Sequence, residues 1–87
     1  MLAVVKYLNK MSKKYSYIGS SPKFQEGDKV RVKADNHFMI ESYIESGKVK
    51  VGEVFTFKEW NSYGYGMNWF SIEEGSFTLS EFCCERA

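Results

Sequence analysis

The chain has 87 residues, 44% apolar and 17% aromatic, with 12 Lys and Arg against 11 Asp and Glu, one His, one Pro and two Cys. That length makes one small domain and excludes large catalytic architectures, because a chain of this size buries only about 60–65% of its unfolded surface and leaves little room for a deep cavity. The apolar content excludes disorder, no apolar run reaches membrane-spanning length, and the balanced charge excludes a histone-like protein or an acidic nucleic-acid mimic.

Residues 1–23 carry Lys6, Lys10, Lys13, Lys14 and Lys23 with no acid, interleaved with Tyr7, Tyr15 and Tyr17 and ending in Gly19-Ser20-Ser21-Pro22. This pattern predicts a basic N-terminal arm. Val4, Val5 and Leu8 fit one short helical turn that would need a surface to lie on, since so short a helix does not hold alone in water.

The globular part is expected over residues 24–87. Glu26-Gly27-Asp28 signals a turn, and Lys29-Val30-Arg31-Val32-Lys33-Ala34 alternates charged and apolar residues, the period of a half-buried strand with Val30, Val32 and Ala34 inward. Residues 35–47 read as a long excursion anchored by Phe38, Ile40 and Ile44, with room for a helical turn. Val54 to Trp60 is rich in β-branched and aromatic residues and predicts a second strand. Asn61-Ser62-Tyr63-Gly64-Tyr65-Gly66 predicts a loop, and Met67 to Ile72 a third strand, with Trp60 and Trp69 flanking the loop where they could pair across the hairpin. Ser76 to Ser80 alternates again with Phe77 and Leu79 inward, and Phe82 and Cys83 are expected to close the end.

Short strands at this spacing predict an all-β fold, and a small barrel hides sheet edges that a sheet this small leaves open. Phe24-x-x-Gly27-Asp28-x-Val30-x-Val32, a variable excursion, then Val51-Gly52-Glu53-Val54-Phe55-Thr56-Phe57 and a final Phe77 to Phe82 segment resembles the SH3-like small barrels, including KOW-type modules and short bacterial and phage accessory proteins. The resemblance covers roughly residues 24–82 and implies a barrel of about five strands. KOW modules carry a glycine soon after the first strand, where this chain has Ala34-Asp35-Asn36. The resemblance therefore implies a fold and leaves the partner open.

The residues give no catalytic, metal or cofactor set. His37 is the only histidine. A pairing of His37 with Cys83 or Cys84 would need an orienting third group and a lowered thiol pKa that nothing in the spacing supplies. Adjacent cysteines with one distant histidine do not make a zinc site. Gly64-Tyr65-Gly66 leads into a strand where a phosphate loop would open a helix. Glu73 and Glu74 beside Gly75 read as solvated turn charges. A bridge between the neighbouring Cys83 and Cys84 would staple nothing, no N-glycosylation acceptor occurs, and the apolar run before Lys6 is too short for a signal peptide, so a reduced, cytoplasmic setting is expected.

Surface recognition remains. Tyr63 and Tyr65 on the loop, with Trp60, Phe38 and Tyr43, are the expected contacts for a protein partner. The alternative partner is nucleic acid. Residues 1–34 have a net charge of +6 and residues 35–87 a net charge of −5. Lys29, Arg31 and Lys33 on one strand face, with Lys13 and Lys14 of the arm, would then track phosphates. The same charges also keep an outward strand face soluble. The expectation is a non-catalytic binding module, monomeric or weakly dimeric, without a membrane partner.

Overall fold

The structure, a computed structural model, describes residues 15–35 and 40–87. The helical turn expected around Val4, together with Lys13, Lys14, His37 and Phe38, lies outside them.

The domain is all-β. Among the described residues five strands, β1 (Lys29–Val32), β2 (Val54–Gly64), β3 (Met67–Ile72), β4 (Thr78–Ser80) and β5 (Cys84–Arg86), form one antiparallel sheet in the order β4-β3-β2-β1-β5, with a short helix, α1 (Glu41–Glu45), between β1 and β2. No ladder joins β4 to β5 among the described residues, so the sheet is not the closed barrel that the sequence suggests. The two edge strands are instead linked by a tight turn in which the Cys83 N–H donates to the Ser80 carbonyl at 3.2 Å.

β1 shows the expected alternation, Val30 and Val32 buried, Lys29 and Arg31 exposed. It stops at Val32, two residues short of the charge-apolar pattern. Beyond it Ala34 is exposed rather than inward, and the Lys33 N–H donates to the Cys83 carbonyl at 2.9 Å. β2 is the longest strand because it serves two neighbours. Val54 to Thr56 pair with β1 and Phe57 to Gly64 pair with β3, with register shifts between Phe57 and Glu59 and between Trp60 and Ser62 that bend the strand from one partner to the other. β3 spans the residues expected of it. The predicted strand over 76–80 shortens to Thr78–Ser80.

The core joins Phe24, Val30, Val32, Ile40, Val49, Phe55, Phe57, Phe70, Ile72, Leu79, Cys83 and Cys84. Ile40, just before α1, is fully buried and anchors the excursion, while Ile44 and Phe77 pack from its margin. Phe82 faces outward instead of closing the end, and its ring lies under the Lys23 ammonium at 4.6 Å from the centroid. Among the described residues no helix is long and apolar enough to cross a membrane.

Candidate functional site

Residues 61–66 are not a loop. β2 runs through Asn61, Ser62 and Tyr63 to Gly64, and only Tyr65 and Gly66 make the turn. Both have positive φ, 55° and 79°, the arrangement of a two-residue type I′ hairpin turn, which follows the sheet's own twist. Gly66 adopts that conformation without cost, whereas Tyr65 carries a bulky side chain in the left-handed region. Tyr65 is 71% exposed and Tyr63 48% exposed. With Ser62, Gly64, Trp69 and Thr78 they line a shallow hollow of about 300 Å³. Trp69 is fixed there by its indole N–H, which donates to the Gly64 carbonyl at 3.0 Å.

Trp60 does not pair with Trp69. The register sets Trp60 opposite Phe70 and Ser62 opposite Trp69. Trp60 is half-buried in an aromatic cluster with Phe57 at 4.9 Å, Phe70 at 5.7 Å and Phe24 at 6.0 Å, and its ring is covered by Tyr17 at 4.6 Å. Its indole N–H is buried and has no hydrogen-bond partner among the described residues. Trp60 also borders a wider groove of about 460 Å³ with Tyr15, Pro22, Phe24, Glu59 and Glu73. Tyr43, on α1, does not line the tip hollow. It packs on Phe77 at 5.3 Å, with the Lys48 ammonium 5.8 Å from its ring centroid.

Tyr15 and Tyr17 meet a buried polar station. Asn68 (1% exposed) and Glu81 (4% exposed) sit side by side, with the Asn68 backbone N–H and side-chain Nδ2 both donating to Glu81 Oε2, at 2.8 and 2.9 Å. Tyr17 donates its hydroxyl to Glu81 Oε1 at 2.7 Å. Tyr15 donates its hydroxyl to Asn68 Oδ1 at 2.9 Å, the Ile18 N–H donates to the same oxygen at 2.9 Å, and Asn68 Nδ2 donates to the Ile18 carbonyl at 2.9 Å. Burial works against the Glu81 carboxylate, but the Asn68 and Tyr17 hydrogen bonds and the Lys23 charge outweigh it and hold its carboxyl below the usual range. Burial, then the hydrogen bond to Glu81 and its negative charge, push the Tyr17 phenol up to about 12. Sequence reasoning missed this station. Its one local sign was an amide inside the otherwise apolar run Met67-Asn68-Trp69-Phe70.

The basic strand face is interrupted by acids. Lys29 Nζ donates to Thr56 Oγ1 at 2.6 Å, and that hydroxyl donates to Glu74 Oε2 at 2.6 Å. Arg31 is exposed but stands opposite Glu85 of β5. Lys33 lies past the strand end and is half-buried. Glu74 is no idle turn charge, because its carboxylate also accepts the Thr56 backbone N–H at 2.8 and 3.0 Å.

Cys83 and Cys84 are buried thiols. Ser80 Oγ and Cys83 Sγ are 2.9 Å apart, and burial pushes the Cys84 thiol up to about 12. Burial likewise raises the Cys83 thiol. Both stand far from the lowered pKa of a nucleophilic cysteine. Compared with family models, curated proteins and solved structures, the chain matches none.

Proposed function

We propose that this domain is a non-catalytic protein-binding module of SH3-like type, acting in the cytoplasm, whose contact surface is the tip of the β2–β3 hairpin. The meander β2-β3-β4, with β1 held between β2 and the last strand, supports the SH3-like reading. One observation carries the function: Tyr65 occupies a positive-φ turn position, 71% exposed, beside the half-exposed Tyr63. Stability alone favours Asn-Gly in such a turn, so a tyrosine there is held against the local preference. Tyrosine gives a large contact area at low entropic cost, and Trp69 gives the hollow a rigid floor.

The acids beside Lys29 and Arg31 favour a protein partner over nucleic acid, since Glu74 and Glu85 would face the phosphates that those cations would track. The test is capture from a lysate of the source organism by the tagged domain and by the Tyr63→Ala/Tyr65→Ala variant, each with and without nuclease. Capture that survives nuclease and is lost in the folded variant is the expected result. Capture abolished by nuclease moves the assignment to nucleic acid, and unchanged capture by the variant removes the tip from the binding surface.

A further inference from the structure

Tyr15, Tyr17 and Ile18 are held in the way a bound peptide is held. Among the described residues, no backbone-to-backbone hydrogen bond ties residues 15–18 to the domain, and they belong to no strand. Their hydrogen bonds to the described part of the domain run through the side chain of Asn68 or Glu81. The Asn68 amide bridges both backbone groups of Ile18, a contact to the main chain that does not depend on that residue's side chain. The side-chain selectivity comes from the Tyr15 hydroxyl on Asn68, the Tyr17 hydroxyl on Glu81 and the Tyr17 ring on Trp60.

The hydrogen-bond valence of the station points the same way. A carboxamide offers two acceptor sites and two donors, and all four of Asn68's are used. Tyr15 and Ile18 take three of them, and only the bond to Glu81 is internal to the domain. Without the arm, the amide loses both partners of its oxygen and one of its nitrogen's, and Glu81 Oε1 loses the Tyr17 hydroxyl. A buried amide that takes three of its four bonds from one short segment is matched to that segment. The connection to the domain is also of the right kind, since residues 19–23 are exposed and irregular, with Gly19 at φ 144°.

We propose that Asn68, Glu81 and Trp60 form a recognition site for a Tyr-x-Tyr-Ile segment, that residues 15–18 are its resident ligand in cis, and that the same segment of a second copy occupies it when the resident arm leaves. This site is separate from the hairpin hollow and does not depend on the function proposed for it. The short tether keeps the resident arm at an effective concentration in the millimolar range, which masks the site from a competing segment.

The probe is a synthetic peptide of residues 15–21, Tyr-Ser-Tyr-Ile-Gly-Ser-Ser, titrated onto the full chain carrying Tyr15→Ala and Tyr17→Ala. Binding is followed by tryptophan fluorescence and by the Asn68 side-chain amide resonances. Saturable binding that returns those resonances to their wild-type positions is expected, about tenfold or more weaker for the wild-type chain, whose own arm competes. The same peptide with both tyrosines replaced by phenylalanine should lose most of its affinity. No binding to the folded variant, or equal binding to variant and wild type, overturns the proposal. Should the double variant not fold, a protease site placed within residues 19–22 of the wild-type chain lets the arm be cut after folding. A cut arm that exchanges with labelled peptide while the sheet stays folded supports the site, and a domain that unfolds as the arm departs, or an arm that never exchanges, overturns it.

Discussion

The side-chain amide of Asn68 and the carboxylate of Glu81 meet at 2.9 Å, both almost wholly out of solvent, although one is the second residue of β3 and the other follows β4. The backbone repeats the link, since the Glu81 N–H donates to the Asn68 carbonyl at 3.0 Å. Removing one member of a buried pair costs more than the bond itself, because the other is left desolvated. Asn68→Ala should therefore lower stability by roughly 2–3 kcal/mol, read as a fall in urea midpoint at unchanged m-value. A change within about 0.5 kcal/mol would mean that water replaces the amide without loss.

Replacing Tyr65 by Asn should stabilise the domain by about 0.5–1 kcal/mol, because Asn tolerates the left-handed conformation and suits the first position of a type I′ turn. Thermal unfolding measures the gain. The same variant should bind the protein partner more weakly, so stability and binding move in opposite directions. A loss of stability would show that the Tyr65 ring makes contacts that outweigh its backbone strain.

Glu74→Ala should cost about 1 kcal/mol, a charge-assisted bond partly screened by its exposure, and should speed hydrogen exchange at the Thr56 amide in particular. The Glu74 carboxyl is held below its usual range by its Thr56 bonds and Lys29, which outweigh its desolvation. Its stabilisation is thus present above the unfolded carboxyl value and disappears as pH falls through the lower folded one. Glu81 follows the same sign, so the wild-type domain should lose stability on acidification below about pH 4.5, and the Glu74→Ala variant should lose less.

At the alkaline end the sign reverses. Tyr17 keeps its proton up to about pH 12 in the folded state against 10.0 for the ordinary phenol. Its contribution is complete below pH 10 and is lost as pH rises through the folded value. Absorbance titration at 295 nm should show a late-ionising tyrosine, and Tyr17→Phe should remove that step.

Much of the sheet is legible because β1 has one wet face and β3 has almost none. Lys29 to Val32 alternates cleanly, and Met67 to Ile72 is strongly apolar and aromatic, so both were found from pattern. The second half of β2 defeats the same reasoning. Glu59, Asn61, Ser62 and Tyr63 are all exposed, so no alternation marks a strand there, and Gly64 and Gly66 pull the reading toward a loop. That the sheet stays open depends on which strands pair, a property no local pattern carries. Within the candidate site, the exposed tyrosines of the tip could be read from composition. The Asn68 station could not, because its partners come from residues 15–18 and 81, and a lone amide in an apolar strand does not say which distant backbone it will hold.

β1 pairs on one side with β2 and on the other with β5, where Val32 meets Cys84 at the far end of the described chain. Until the long-range β1–β5 pairing closes during folding, the second edge of β1 stays unsatisfied. In that interval the growing sheet offers a bare edge to any other strand. The exposed Arg31, on that edge, then serves as a like-charge deterrent between nascent copies, and neutralising it should raise aggregation on refolding while leaving the finished domain's stability nearly unchanged.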